Sequence, residues 1–246
     1  MKGLRLLIAL VCFSIAGAAF YLQDDGAFEI TLSDAVLQPM GAGHALTLKI
    51  DNPGWSERLI EVSTDDTGPA MLTSGAPVLG LPAESAPSLA MDGVHAMIMG
   101  LGNLEDGRLV PVRLMFERGG EITTRARVST TQMMDHSAVF EVPTGEPMPK
   151  LRLTVTPSGS GWTVLAEVED FSFSKSAVDG PHQPGVGHAH LYLNGLKLQR
   201  MYAPEARIGA LPPGTYEVRV TINTNDHRTY SVNGSPVSAA AEITVD

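Results

Sequence analysis

Met91-Asp92-Gly93-Val94-His95-Ala96-Met97-Ile98-Met99-Gly100-Leu101 alternates its side chains with a period of two between bounding glycines. The pattern predicts a β-strand with unlike faces, His95, Met97 and Met99 pointing one way and Ala96 and Ile98 the other. On either side, short runs rich in Val, Ile, Leu and Thr recur. Gly, Pro, Asn or Asp interrupts them roughly every 8–12 residues, the rhythm of antiparallel sandwiches and barrels. Strands are expected at 28–37, 45–51, 58–63, 88–89, 95–99, 110–116 and 122–128, then at 151–157, 163–168, 188–193, 197–202, 215–221 and 239–245. No long helical period competes with them, so the fold class is all-β.

The stretch 129–150 interrupts this rhythm with Pro143, Pro147 and Pro149 and little periodicity. It reads as a linker or a strapped connection. The expected organisation is an N-terminal domain at 27–130, a linker at 131–149 and a C-terminal β-sandwich at 150–246. Asn194-Gly195 is the residue pair that accepts positive φ at both centres of a type I′ hairpin turn. Leu211-Pro212-Pro213-Gly214 is a structural stop before a strand, of a kind common in immunoglobulin-like sandwiches.

The first 22 residues address the compartment. Lys2 and Arg5 precede an uncharged run from Leu6 to Leu22, with Ala16-Gly17-Ala18 supplying the small residues a signal peptidase accepts. An exported, periplasmic protein is expected, with 1–22 as a cleaved signal or a retained membrane anchor. The single cysteine, Cys12, lies inside that segment. The mature chain then has no thiol, which excludes disulfides and thiolate metal sites and leaves His, Met and carboxylates as ligands. A net charge of −10 without a long acidic block argues for a solvated surface and against nucleic acid.

Three groups of residues carry metal-ligand chemistry. His95, Met97 and Met99 put an imidazole and two thioethers on one strand face, a soft donor set suited to Cu(I). Core-filling methionines beside a satisfied histidine would give the same pattern. His188-Ala189-His190, with His227 and Met201 further on, puts two histidines on one face after the Gly-rich lead-in Pro184-Gly185-Val186-Gly187, which would leave them accessible. Paired surface histidines on a sheet edge are the plainer reading. Gln132-Met133-Met134-Asp135-His136 adds thioethers and an imidazole, with His136 the candidate ligand, on what is otherwise an ordinary linker.

Residues 28–128 resemble the PCuAC family of periplasmic copper chaperones. The matching pieces are Leu46-Thr-Leu-Lys-Ile-Asp-Asn52, Val78-Leu-Gly-Leu-Pro82, Gly93-Val-His95-Ala-Met97-Ile-Met99-Gly-Leu101 and Val110-Pro-Val-Arg-Leu-Met-Phe116. The resemblance implies a cupredoxin-like barrel, with His95 and Met97 as half of a Cu(I) site and delivery of copper to the assembling centre of cytochrome oxidase. The family's earlier His and Met lie on a segment ending 22 residues before the His-X-Met histidine. Here that position is Thr73, leaving Met71 as a third ligand and His44 as one that might approach from a neighbouring strand. The C-terminal half resembles a sandwich module of exported bacterial proteins through Gly187-His188-Ala-His190-Leu-Tyr-Leu-Asn-Gly195, Leu211-Pro-Pro-Gly214 and Asn223-Thr-Asn-Asp-His227. This implies that His188, His190 and His227 converge, with Met201 as a fourth ligand, in a nitrogen-rich site that takes Cu(II) as well as Cu(I).

Catalytic patterns are missing: Gly159-Ser160-Gly161 sits between strands with no helix after it, and there is no phosphate loop, dinucleotide fingerprint or HExxH helix. The expected function is a copper-binding chaperone whose partner is a cytochrome oxidase assembly factor or another cuproprotein. An exported interaction module with incidental histidines, or a copper-dependent redox enzyme, are the alternatives from other classes.

Overall fold

The computed structural model describes residues 29–65, 67–74, 76, 78–131 and 138–246. The expected signal at 1–22, the expected strand start at 28 and the candidate ligand His136 lie outside them. The first half contains β1 (Thr31–Met40), β2 (Gly43–Asp51), β3 (Glu57–Thr64), β4 (Met71–Leu72), β5 (Leu79–Leu81), β6 (Ser88–Leu89), β7 (Ala96–Met99), β8 (Leu109–Phe116) and β9 (Gly120–Val128). The rest contains β10 (Val139–Glu141), β11 (Lys150–Ser158), β12 (Gly161–Glu169), β13 (Ser172–Phe173), β14 (Val186–Leu193), β15 (Leu196–Met201), β16 (Glu205–Ile208), β17 (Gly214–Thr224), β18 (Thr229–Val232), β19 (Ser235–Pro236) and β20 (Ser238–Val245). The fold is all-β, with no helix among the described residues.

In the first half the strands run β5-β3-β8-β9-β1-β2-β7-β4, every pair antiparallel except β9–β1. Leu46, Leu48, Ile50, Val112, Leu114 and Phe116 point inward and are buried, as a half-buried sheet requires of alternating apolar residues. In the second half β14 is flanked by β15 and β17, and β17 by β20, while β11, β12 and β16 form a separate three-stranded sheet. Val164, Ala166 and Ile208 of that small sheet share one core with Leu191, Val220 and Ile222 of the large one.

Two findings depart from the sequence reading. The stretch expected as a linker contains β10, which pairs in parallel with β18 through Val139↔Thr229, Phe140↔Tyr230 and Glu141↔Ser231. Its prolines stop the strand after three residues, so it left no readable period. The halves are also joined through main chain, because β6 pairs with β2 at Ser88↔Lys49 and with β15 at Ser88↔Lys197. Nearby, Val94 N–H donates to the Gly195 carbonyl at 2.9 Å. A Cβ on Gly93 would lie 2.6 Å from that same oxygen, so only glycine lets the 91–95 loop approach the β14–β15 hairpin so closely. The hairpin turn is as expected, with φ of 47° at Asn194 and 80° at Gly195.

Candidate metal centre

The pleat of β14 sorts its side chains. Ala189, Leu191 and Leu193 pair with Ile222, Val220 and Val218 of β17 and fill the core. On the opposite face, His188, His190 and Tyr192 pair with Asn223, Thr221 and Arg219. That polar face is also covered: His188 and His190 are 0 % exposed and His227 is 2 % exposed. The histidines are thus neither accessible through the Gly-rich lead-in nor on a sheet edge, since β14 is paired on both sides.

Three imidazoles meet beneath this cover. His188 Nε2 lies 3.0 Å from His190 Nε2 and 3.2 Å from His227 Nδ1. The three ligand nitrogens all lie within 4.8 Å of one another. Nitrogens on a tetrahedral centre with bonds of ~2.0 Å stand about 3.3 Å apart, a spacing that the two distances from His188 match to within a few tenths of an ångström. His227 sits in the turn between β17 and β18 with φ of 68°, a left-handed backbone that a non-glycine residue adopts at a cost of about 1–3 kcal/mol.

Each of two histidines has a carboxylate behind it. The Nδ1 of His190 lies 2.9 Å from Asp92 Oδ2, and the Nε2 of His227 lies 2.5 Å from Asp179 Oδ1. Donation of those N–H groups to carboxylates leaves His190 Nε2 and His227 Nδ1 with lone pairs aimed at the centre. Asp179 also has a left-handed backbone, φ 65°, so both members of the Asp179–His227 pair hold uncommon conformations. The Nδ1 of His188 is buried without a hydrogen-bond partner.

Asp92 comes from the first half of the chain. Its Oδ2 also accepts from Tyr192 OH at 3.1 Å and from Lys197 Nζ at 2.6 Å. Burial works to raise the Asp92 carboxyl, but the hydrogen bond from His190 and the Lys197 charge outweigh it and hold the group well below the usual carboxylate range. Burial, aided by the adjoining imidazoles and the charges of Arg200 and Lys197, pushes His188 down to about 2. Burial likewise pushes His190 down to about 4, against the opposing hydrogen bond to Asp92. Both rings are neutral at pH 7, the form that binds metal.

Met201 is not with them. It pairs directly with Ala189, so the pleat sends its side chain into the core on the face away from His188 and His190. The neighbouring residue Tyr202 has its ring centroid 6.1 Å from that of His188.

The N-terminal candidates divide in the same way. Met71 of β4 stands opposite Met97 of β7, on the face that His95 and Met99 share. Thr73 continues that row beside His95. The His95 N–H donates to Thr73 Oγ1 at 3.0 Å, and the same oxygen lies 3.5 Å from His95 Nδ1. His44 pairs with Ile98 and therefore points to the opposite face, which removes it from the His95–Met97 group. Its Nδ1 is buried without a partner, and burial lowers its pKa.

A cleft of about 530 Å³ is lined by Thr73, Met91 and Asp92 of the first half and by Tyr192, Arg219 and Thr221 of the second. Sequence reading missed Asp92 and Asp179. Asp92 is three residues from His95 within the first string quoted, but its partners His190, Tyr192 and Lys197 are about a hundred residues away, and no local period announces such a contact.

Residues 30–128 match the family model described as putative lipoprotein LpqE-like. No protein of curated function matches the chain. Among solved structures, the copper-bound PCuAC domain from PmoF2 aligns at 22% identity with a TM-score of 0.38, over 42% of this chain and 94% of that one. The apo PCuAC domain from PmoF1 aligns at 21% identity and TM-score 0.38, over 42% of this chain and 95% of that one. Fibronectin(III)-like modules of Clostridium thermocellum CbhA align at 14% identity and TM-score 0.26, over 88% of this chain and 93% of theirs.

Proposed function

We propose, starting from the match of residues 30–128 to the LpqE-like family model, that the chain is an exported copper-binding protein that carries the ion as cargo. The principal site of this reading is His188, His190 and His227. The observation that carries it is the convergence of their three nitrogens, two of them backed by carboxylates. Neutral imidazoles suit both Cu(II) and Cu(I), and carboxylate partners raise their basicity as ligands. The second site is His95 and Met97 with Met71 opposite, a soft set for Cu(I) that needs no thiol. Few, exchangeable ligands let the ion leave, so transfer proceeds by ligand exchange and needs no bond chemistry on a substrate.

In this reading the segment 1–22 exports the chain to the periplasm, and the acceptor is a cuproprotein such as a cytochrome oxidase assembly factor. The PCuAC resemblance of the first half supports that direction of transfer.

The test is titration of the protein with Cu(II), followed by electron paramagnetic resonance. One equivalent with nitrogen hyperfine coupling is expected, lost in a His188→Ala/His190→Ala variant. Retention of that signal in the variant would overturn the three-histidine site. Loss of one equivalent of Cu(I) in His95→Ala/Met97→Ala is expected separately, and an unchanged Cu(I) stoichiometry would remove the N-terminal site. Failure of the protein to take up copper in any state would leave an interaction module with buried structural histidines.

A further inference from the structure

Three of the large apolar side chains exposed on the first half are methionines of one sheet face. Met40, Met71 and Met99 are 41, 69 and 50 % exposed. Methionine is usually a buried residue, and a group of them turned to solvent needs a reason. Register shows that they are neighbours. Met40 of β1 pairs with Gly43 of β2, and Gly43 pairs on its other side with Met99 of β7. One row further along, Gln38 pairs with Ala45, Ala45 with Met97, and Met97 with Met71 of β4. Directly paired residues share a face, so Met40, Met99, Met97 and Met71 project to the same side.

The residues between them are the smallest available. Gly43 separates Met40 from Met99, and Ala45 lies beside Met97. The thioether of Met99 already occupies the space over Gly43, since a Cβ built there would meet Met99 Sδ at 2.5 Å. Neighbouring strands are about 4.8 Å apart, which leaves the Met40 and Met99 backbones about 10 Å apart with no side chain between them. Two flexible thioethers of that reach can meet over Gly43.

We propose that Met40 and Met99 form a separate, thioether-only Cu(I) site above Gly43, an exposed receiving position beside Met97. The proposal rests on the copper reading given above but uses neither His95 nor the three-histidine centre. Thioethers select Cu(I) over Cu(II) and over hard cations, and an exposed pair holds the ion weakly enough to release it. Met97, two residues from Met99 on the same face, is the next ligand inward and leads to His95.

The test uses full-length protein with ¹³C-methyl methionine and anaerobic titration with Cu(I) alone, against a Met40→Leu/Met99→Leu variant. Leucine keeps volume and apolar character at exposed positions, so the fold is retained. The expected result is a further equivalent of Cu(I), beyond those held by His95–Met97 and by the three-histidine centre and bound more weakly, that shifts the Met40 and Met99 methyls and is absent from the variant, while the Met97 methyl responds as before. Response of the Met97 methyl with unmoved Met40 and Met99 methyls would overturn the Met40–Met99 site and leave the copper reading standing. No response from any methionine or histidine would overturn both. Methyl shifts that follow added protein rather than Cu(I) would overturn the metal assignment and make the face a protein contact.

Discussion

Asp92 Oδ2 lies 2.9 Å from the Nδ1 of His190, joining the loop that leads into His95 to a histidine of β14 in the second half of the chain. The carboxylate is 7 % exposed and also holds Lys197, so its charge is balanced without solvent. An imidazole clamped in this way keeps one tautomer and one orientation, which is what a metal ligand requires.

Replacing Asp92 with Asn therefore weakens copper binding at the three-histidine centre by about 10–100-fold while the ligand set stays the same. Competition titration against a chelator of known affinity checks this. Asp92→Ala goes further, because it leaves the mostly buried Lys197 ammonium unpaired. A loss of about 3 kcal/mol is expected in urea unfolding of the metal-free protein. An Asp92→Asn variant that binds copper like the parent would show that the contact is structural only.

Stability depends on pH through the same rings. His188 and His190 have folded-state pKa values of about 2 and about 4, below the 6.5 of an unfolded chain. As pH falls from 6.5 toward 4, the unfolded state gains protons that the folded state does not. Stability is therefore complete above pH 6.5 and is lost on acidification, by about 1.4 kcal/mol per pH unit for each ring. Urea midpoints of metal-free protein at pH 7.5, 6 and 5 give the slope, and a His188→Gln/His190→Gln variant flattens it. A midpoint unchanged between pH 7.5 and 5 would contradict the buried, neutral assignment.

The all-β class and most strand positions were legible from alternation and turn residues, and the convergence of His188, His190 and His227 was implied by the resemblance of the C-terminal half to a sandwich module of exported proteins. What was not legible depended on pairing between distant strands. Met201 was expected beside the histidines because it lies on the hairpin between His190 and His227, yet its register with Ala189 turns it inward. His44 was expected near His95, and its register with Ile98 turns it away. A one-residue difference in register exchanges the faces of a strand, and sequence alone does not fix register between separated segments. The clasp of Asp92 and the strand at Val139–Glu141 were hidden for the same reason: both are specified by partners far along the chain.

Met201 gives a control that separates packing from ligation. Met201→Leu leaves copper binding unchanged, since the side chain belongs to the core. Met201→Ala destabilises the protein by about 2–5 kcal/mol through the cavity it opens, measured by thermal or urea unfolding. A Met201→Leu variant that lost copper would return this residue to the site.

Copper itself stabilises the folded chain, because the three nitrogens are gathered only when β14 and the turn after β17 are in place. At free metal about 100-fold above the dissociation constant, the gain is about 2.7 kcal/mol. A rise in melting temperature is expected on adding Cu(II) and disappears in His188→Ala/His190→Ala. An equal rise in both proteins would place the stabilising ion elsewhere.

Thr73 offers the inverse experiment, a gain of affinity. Its Oγ1 lies 3.5 Å from His95 Nδ1, in the row that continues from Met71, and its side chain is exposed enough to accept a larger group. The PCuAC resemblance puts the family's earlier His and Met on the segment that ends here, where this chain has a hydroxyl that binds the His95 backbone. Thr73→His adds an imidazole to His95, Met97 and Met71, converting a three-ligand group into a four-ligand one. Cu(I) affinity at the N-terminal site is expected to rise by at least about tenfold, or about 1.4 kcal/mol. The three-histidine centre, which Thr73 does not touch, keeps its Cu(II) signal. Unchanged Cu(I) affinity in Thr73→His would mean that His95, Met97 and Met71 do not act together as a metal site.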